Sequence, residues 1–326
     1  MPAIPIPMLR ERAAGKLVSV GVGRAEAEII VDHMLTADLC GRPTHGLSLR
    51  FPYILRHAQA GAAKRTPAVV RDRGHLVVLD GRDGFGFLTG HRGTEILIER
   101  AKQHGSATVA MQNAGYTGFL GHYVDKAARA DLVAMAFGNC SPLMAPYGGT
   151  RALLGTNPIA LAFPAQPDPV LVDMATSKIS YGELMALEAK GMPLPPGCAL
   201  DSQGRPTTDP AAARSGALLP FGEHKGGALA LAVQILAGPF TGCVPVPTAW
   251  RGYGLLLVGY ALDAFTDRER YFASMKELLD AYLAVPPAPG QELRVPGWRR
   301  YENRRTKKDM ALDVSDELAG CLSLNA

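Results

Sequence analysis

Two short apolar runs, Ile159–Phe163 and Val170–Met174, are joined by only six residues, Pro164-Ala-Gln-Pro-Asp-Pro169, and this link constrains the fold more than any other stretch. Parallel neighbours need a crossover of a dozen or more residues, so a proline-rich link this short makes the pair an antiparallel hairpin. Upstream, apolar strand-like runs at 75–80, 108–112 and 132–137 alternate with helical periodicity over about 91–104 and 122–130. A further strand is expected at 255–258. The reading is an α/β chain with a mixed, largely antiparallel sheet, which excludes a purely parallel doubly wound fold.

The segments flanking this region read as helical. Ala27, Ile30, Val31, Met34 and Leu35 recur at helical spacing, so 24–40 is an amphipathic helix that Gly41 and Pro43 end. Leu47, Phe51, Ile54, Leu55 and Ala58 repeat the period up to Gly61. Residues 65–73 are polar and read as irregular. The expected division is a mainly helical domain from 1–74 and 264–326 and a cofactor-binding α/β domain from 75–263. Residues 226–236 read as a buried helix, and 265–283 as a long helix with Phe265, Phe272, Met275, Leu279 and Leu283 along one side. The tail is basic, with Arg294, Arg299, Arg300, Arg304, Arg305, Lys307 and Lys308.

Composition narrows the function. With 47% hydrophobic and 20% charged residues over 326 positions, the chain reads as an ordinary soluble globular protein. A net charge of +4 falls short of the concentrated basic face that nucleic acid requires, but leaves small anions as partners. The five cysteines are odd in number and never form a C-x-x-C pair, so reduced thiols in the cytoplasm are expected. No apolar run is long enough to span a bilayer. Neither a zinc motif nor a carboxylate cluster suggests a metal.

The leading candidate for chemistry is His45, in Gly41-Arg-Pro-Thr-His-Gly-Leu-Ser-Leu-Arg50. Thr44 is placed to cap the second helix, which puts His45 in its first turn, where helix N–H groups favour a bound carboxylate and oppose an imidazolium. An anionic substrate would restore its proton affinity, as a general acid needs. The competing structural reading is a histidine packed into a helix–helix corner. The glycine-rich turn at 80–90 lacks the spacing and the later acid of a Rossmann fingerprint. Three other loops are rich in glycine or in hydroxyls, with few bulky side chains: 146–149 with 155–158, 173–177, and 220–227, where Lys225 opens the expected buried helix and suits an anion.

At these loops the chain resembles the malate/L-lactate/L-sulfolactate dehydrogenase family that is distinct from the Rossmann dehydrogenases and includes ureidoglycolate dehydrogenase, 2,3-diketogulonate reductase and Δ1-piperideine-2-carboxylate reductase. The stretches that carry the likeness are Thr44-His-Gly46 with Pro52-Tyr53, Ala145-Pro-Tyr-Gly-Gly149, Gly155-Thr-Asn-Pro158, Asp173-Met-Ala-Thr-Ser177, Leu219-Pro-Phe-Gly222 with Lys225-Gly226, and Val295-Pro-Gly297. They run in family order over nearly the whole chain. The resemblance implies a homodimer, a helical domain built from both chain ends, and hydride transfer between NADPH or NADH and a 2-oxo or cyclic 2-imino acid. The basic tail leans toward NADPH.

Carried over by motif, His45 is the proton donor, with Thr44 and Tyr116 beside it. Leu49, Arg50, Thr156, Tyr181 and Gly182 are assigned to the substrate. Gly118, Phe119, Leu120, Gly121 and Ser141 are assigned to the cofactor. So are Asp173, Met174, Ala175, Thr176, Lys225, Pro296, Arg299 and Arg300.

Three positions depart from the common pattern. Leu49 stands four residues after the histidine, where many members carry a carboxylate-pairing arginine, and Arg50, one step round the helix, is expected to point elsewhere. Tyr116 stands in place of a loop histidine, and Tyr181 in place of a basic residue. Leu49 and Tyr116 therefore favour a substrate with an apolar body, such as a cyclic imino acid, over pyruvate. The alternative is a family scaffold that holds a nucleotide or small acid but does non-redox chemistry or only binds.

Overall fold

The computed structural model describes residues 3–248, 251–307 and 310–323. A short strand, β1 (Ala3–Pro5), runs into α1 (Ile6–Ser19), whose Pro7 sits in the first turn, where a missing N–H leaves no helical bond unmade. Next come α2 (Arg24–Leu39), a 3-10 turn at Pro43–His45, and α3 (Leu47–Gln59). The central region follows as β2 (Ala68–Asp72), β3 (Leu76–Asp80), α4 (Gly86–His104), β4 (Ser106–Gln112), α5 (Gly121–Ala128), β5 (Leu132–Gly138), β6 (Ile159–Phe163) and β7 (Val170–Met174). After it come α6 (Tyr181–Ala189), β8 (Ala199–Leu200), β9 (Pro206–Thr207), α7 (Pro210–Arg214), β10 (Ala217–Leu218), α8 (His224–Ala237) and β11 (Leu255–Ala261). The chain closes with α9 (Arg268–Leu283), α10 (Trp298–Lys307), β12 (Ala311–Asp313) and α11 (Asp316–Cys321).

The main sheet has the order β2-β3-β4-β11-β5-β6-β7. Only β3 and β4 run parallel, and every other neighbouring pair is antiparallel. The β6–β7 hairpin is as its short link requires. β11 inserts between β4 and β5, which follow one another in the chain, and so closes the sheet at its middle. Its Leu255 and Leu257 join Val109, Met111, Leu120 and Ala136 in one core under α4 and α5.

A second core is helical and drawn from both ends of the chain. Leu9, Leu17, Ile30, Met34, Phe51 and Ile54 meet Val314 and Leu318 there. Each fully buried aliphatic or aromatic side chain of this kind contributes about 1.5–3 kcal/mol. β1 pairs antiparallel with β12, tying the two ends together. The fold is thus α/β, with a largely antiparallel sheet and a helical body from the two termini.

Several expectations are corrected. Residues 68–72 are an edge strand, not irregular chain, and their half-exposed Val69 and Val70 hid the alternation. α4 begins at Gly86, well before 91, and the tail forms α10. α8 is not a buried helix: Gly226, Ala230, Val233 and Ala237 face inward while Leu231 and Ile235 are about half exposed. α9 buries no residue fully, and Leu278, Tyr282 and Leu283 stand exposed within one chain. Lys308 of the basic tail lies outside the described residues.

Candidate active site

One cavity of about 260 Å³ collects the chemistry-bearing residues from six separate stretches, one of them Tyr253 before β11. His45 enters from the α2–α3 connection and Arg50 from the first turn of α3, Tyr116 to Leu120 from the loop before α5, and Gly138 to Ser141 from the end of β5. Thr156 comes from the loop before β6, and Asp173 to Ala175 with Ser180 to Gly182 come from the end of β7 and the start of α6.

The backbone around His45 differs from the sequence reading in one instructive way. α3 starts at Leu47, and Gly46 between it and the 3-10 turn is extended, with φ −85° and ψ −178°. His45 is therefore outside the helix, and counting four residues on from it crosses a break. That break reverses the expectation for the next side chains: Arg50 lines the cavity, and Leu49, 43% exposed, does not. The Arg50 Nε donates to the Thr44 carbonyl at 2.8 Å, and its guanidinium lies 5.0 Å from the centre of the Tyr116 ring. Nor does Thr44 cap α3. Its Oγ1 lies 3.0 Å from His45 Nδ1, while the Leu47 N–H donates to the Asp38 carboxylate of α2 at 2.8 Å.

Burial pushes the His45 imidazole down to about pH 4, helped by Arg50, Arg42 and Arg300 and opposed by Asp173. The helix start is not the cause. Burial likewise pushes the Asp38 carboxyl up to about 7, against the Leu47 N–H and the more distant Lys307.

Two residues that the sequence reading did not assign, Arg42 and His33, support the site, and Arg300, which it assigned to the cofactor, does not itself line the cavity but holds Asp173. Arg42 lines the cavity, and its Nη2 donates to the Asp173 carbonyl at 3.0 Å. Arg300 pairs with the same residue twice, Nη1 to the Asp173 carboxylate and Nη2 to its carbonyl, both at 2.9 Å, in a nearly buried ion pair. His33, on α2, accepts the Phe119 N–H through Nε2 at 3.1 Å, which fixes the loop that forms one side. Burial holds His33 far below the ordinary imidazole range, as an accepting nitrogen requires. The available signals were weak: an arginine in a Gly/Pro break, and a histidine in an apolar stripe.

The remaining assigned residues divide. Thr156, Tyr181, Gly182, Gly118, Phe119, Leu120, Ser141, Asp173, Met174 and Ala175 line the cavity. Gly121, the first residue of α5, lies behind them: a Cβ there would come within 2.9 Å of both Arg300 Nη1 and Asp173 Oδ2. Thr176 is fully buried and donates to the Thr156 carbonyl at 2.9 Å, a bracing contact. Lys225 and Arg299 are exposed and do not line it, because α8 and α10 present them on their outer faces. Pro296 accepts the Leu171 N–H beside the sheet edge.

The family model for malate/L-lactate dehydrogenase matches residues 4–322. The chain belongs to that family. It is an NAD(P)-dependent oxidoreductase, and its relatives are named as dehydrogenases. An L-sulfolactate dehydrogenase of Methanocaldococcus jannaschii is 35% identical over 304 residues, 90% of this chain and 88% of that protein. A (2R)-3-sulfolactate dehydrogenase (NADP(+)) of Chromohalobacter salexigens is 37% identical, covering 90% of each. The solved Δ1-piperideine-2-carboxylate reductase of Pseudomonas syringae pvar. tomato superposes with a TM-score of 0.87 at 29% identity, over 99% of this chain and 100% of that one. Among the described residues of this dehydrogenase no helix is long and apolar enough to cross a membrane, and no group of three His, Cys, Asp or Glu could hold a metal. All five cysteines are unpaired thiols.

Proposed function

We propose that this cavity reduces a 2-oxo acid bearing a second anionic group, with a nicotinamide nucleotide as hydride source and His45 as proton donor. The observation that carries the reading is the charge around His45. Of the charged residues lining the cavity, Asp173 is paired by Arg300, so Arg42 and Arg50 leave two positive charges for an incoming dianion. Charge-assisted contacts of this kind are worth about 1.5–3 kcal/mol each.

The walls fit a nucleotide. Gly118 has φ +72° and a Cβ there would fall 2.2 Å from His33 Nε2, so glycine lets His33 pack directly behind the loop that lines the cavity. Gly118 to Leu120 and Asp173 to Ala175 would hold the cofactor. When bound, it supplies a hydride to the substrate's oxo carbon. The protein does the rest. Arg50 and Arg42 orient the acid, whose negative charge raises the His45 proton affinity from its depressed value. His45 then gives its proton to the oxygen that becomes the hydroxyl, and Thr44 accepts from Nδ1 to keep the ring aimed.

NADPH is proposed as the preferred nucleotide, on the strength of the basic tail. A cyclic 2-imino acid is the second reading, favoured by the apolar wall of Tyr116, Phe119, Leu143 and Tyr181. Leu49, outside the cavity, no longer supports it. We further propose a homodimer, because α9, the outer face of α8 and the turn that follows α8 leave Leu278, Tyr282, Leu231, Ile235 and Phe240 uncovered in one chain. Absorbance at the reduced-nicotinamide band, followed with NADPH and NADH across oxo mono-acids, oxo di-acids and cyclic imino acids, tests the substrate reading. Oxidation fastest with a dianionic oxo acid supports it, and oxidation confined to cyclic imino acids replaces it with the second. Nucleotide binding without oxidation by any acid would favour a non-redox scaffold.

A further inference from the structure

We propose that Asp38 is the positioning residue for His45, acting through Gly46 as a cap that α2 supplies to α3. The proposal rests on His45 as the proton donor but its geometry stands independently. The residue before α3 is Gly46, which has no side chain to satisfy the first free N–H groups of the helix. Asp38, eight residues upstream on α2, supplies the missing acceptor, with Oδ2 taking the Leu47 N–H at 2.8 Å. The contact is intimate. A Cβ built on Gly46 would lie 1.8 Å from Asp38 Oδ1 and 2.3 Å from its carboxyl carbon.

Two consequences follow from the local chemistry. Gly46 has an extended backbone that any residue adopts, so glycine is required there by the carboxylate and not by the dihedral angles. The anchored peptide is also the one that joins His45 to α3. The Thr44 hydroxyl orients the imidazole ring and the Arg50–Thr44 bond holds the preceding carbonyl, but neither fixes where the turn stands relative to α2. Asp38 does that at the α3 end of the turn, as the Arg42 N–H to the Ala37 carbonyl does at its other end, and Asp38 does not line the cavity.

The test compares Asp38→Ala, Asp38→Asn, Gly46→Ala and the Asp38→Ala/Gly46→Ala pair in the full chain. Amide exchange over 41–50 and nucleotide affinity are measured beside turnover of an acid the wild type reduces. Asp38→Ala is expected to speed exchange at Leu47 and cut kcat about ten- to a hundredfold, the cost of a roughly 1 Å misplacement, with nucleotide affinity unchanged. Asp38→Asn keeps an acceptor of the same shape and is expected to restore protection and most of kcat. Gly46→Ala should reproduce the Asp38→Ala loss by pushing the carboxylate aside, and the pair should be no worse than either single variant. Protection over 41–50 unchanged in Asp38→Ala, or losses that multiply in the pair, would overturn the proposal. If the wild type reduces no acid, the proposed reaction fails, and exchange over 41–50 still decides whether Asp38 anchors the turn.

Discussion

At the scale of single residues, the phase of α3 decides which side chain can hold an acid. Because Gly46 breaks the helix before Leu47, Arg50 and not Leu49 faces His45. Arg50→Ala is expected to raise KM for the acid about ten- to a hundredfold, the loss of one charge-assisted contact, whereas Leu49→Arg should leave substrate preference unchanged. Steady-state kinetics on mono- and dianionic oxo acids checks both; a preference shift in Leu49→Arg would contradict the geometry. The sign of the His45 effect gives a second test. Its imidazole is held down at about 4 in the free protein, so it is neutral at pH 7, and a bound anion that raises it must bring in a proton. Anion affinity should therefore fall as pH rises across the bound-state pKa. Calorimetry in two buffers of different protonation enthalpy measures the uptake, and a value of zero would remove the coupling. His45 was legible from its place in a helix break. Its neighbours were not, since periodicity cannot show where an extended residue resets the helical phase.

At the scale of elements, the strands and their pairing were readable wherever apolar residues alternated or ran continuously, as in β4, β5 and the β6–β7 hairpin. The edge strand β2 was not, because both its faces are largely exposed and carry charge. Helices were legible as periodic stripes, but a stripe does not say what it packs against. α9 makes the point: its apolar positions are correctly spaced, yet none is buried. Together with Leu231 and Ile235 of α8, this surface is the basis for the proposed dimer. Leu278→Glu should shift the chain toward monomer in sedimentation velocity while the far-ultraviolet circular dichroism stays the same. A wild type that sediments as a monomer at all concentrations would contradict the proposal.

At the scale of the whole molecule, buried histidines link the helical body to the cavity. His33 and His122 lie with ring centroids 4.3 Å apart, and burial pushes His122 down to about 4, as it does His45. These groups bind protons more tightly when unfolded, where an imidazole titrates near 6.5. The stability that His45 and His122 contribute is therefore fully present above about pH 6.5 and is lost progressively as pH falls from there toward 4, by about 1.4 kcal/mol per histidine per pH unit, while Asp38, raised to about 7, offsets about one histidine's share over the same window. Denaturant titrations across that window check the slope, and a flat profile would contradict it.

The central claim is that His45 delivers the proton in a nicotinamide-dependent reduction, and a single-turnover experiment tests it most directly. Protein loaded with reduced nucleotide is mixed with the best acid from the panel, and loss of the reduced-nicotinamide band is followed for wild type and His45→Asn. The account predicts intact nucleotide binding in both and a rate about two to four orders of magnitude lower in His45→Asn. A variant that oxidises the nucleotide as fast as the wild type, with the fold intact, would return His45 to a packed corner residue and contradict the account.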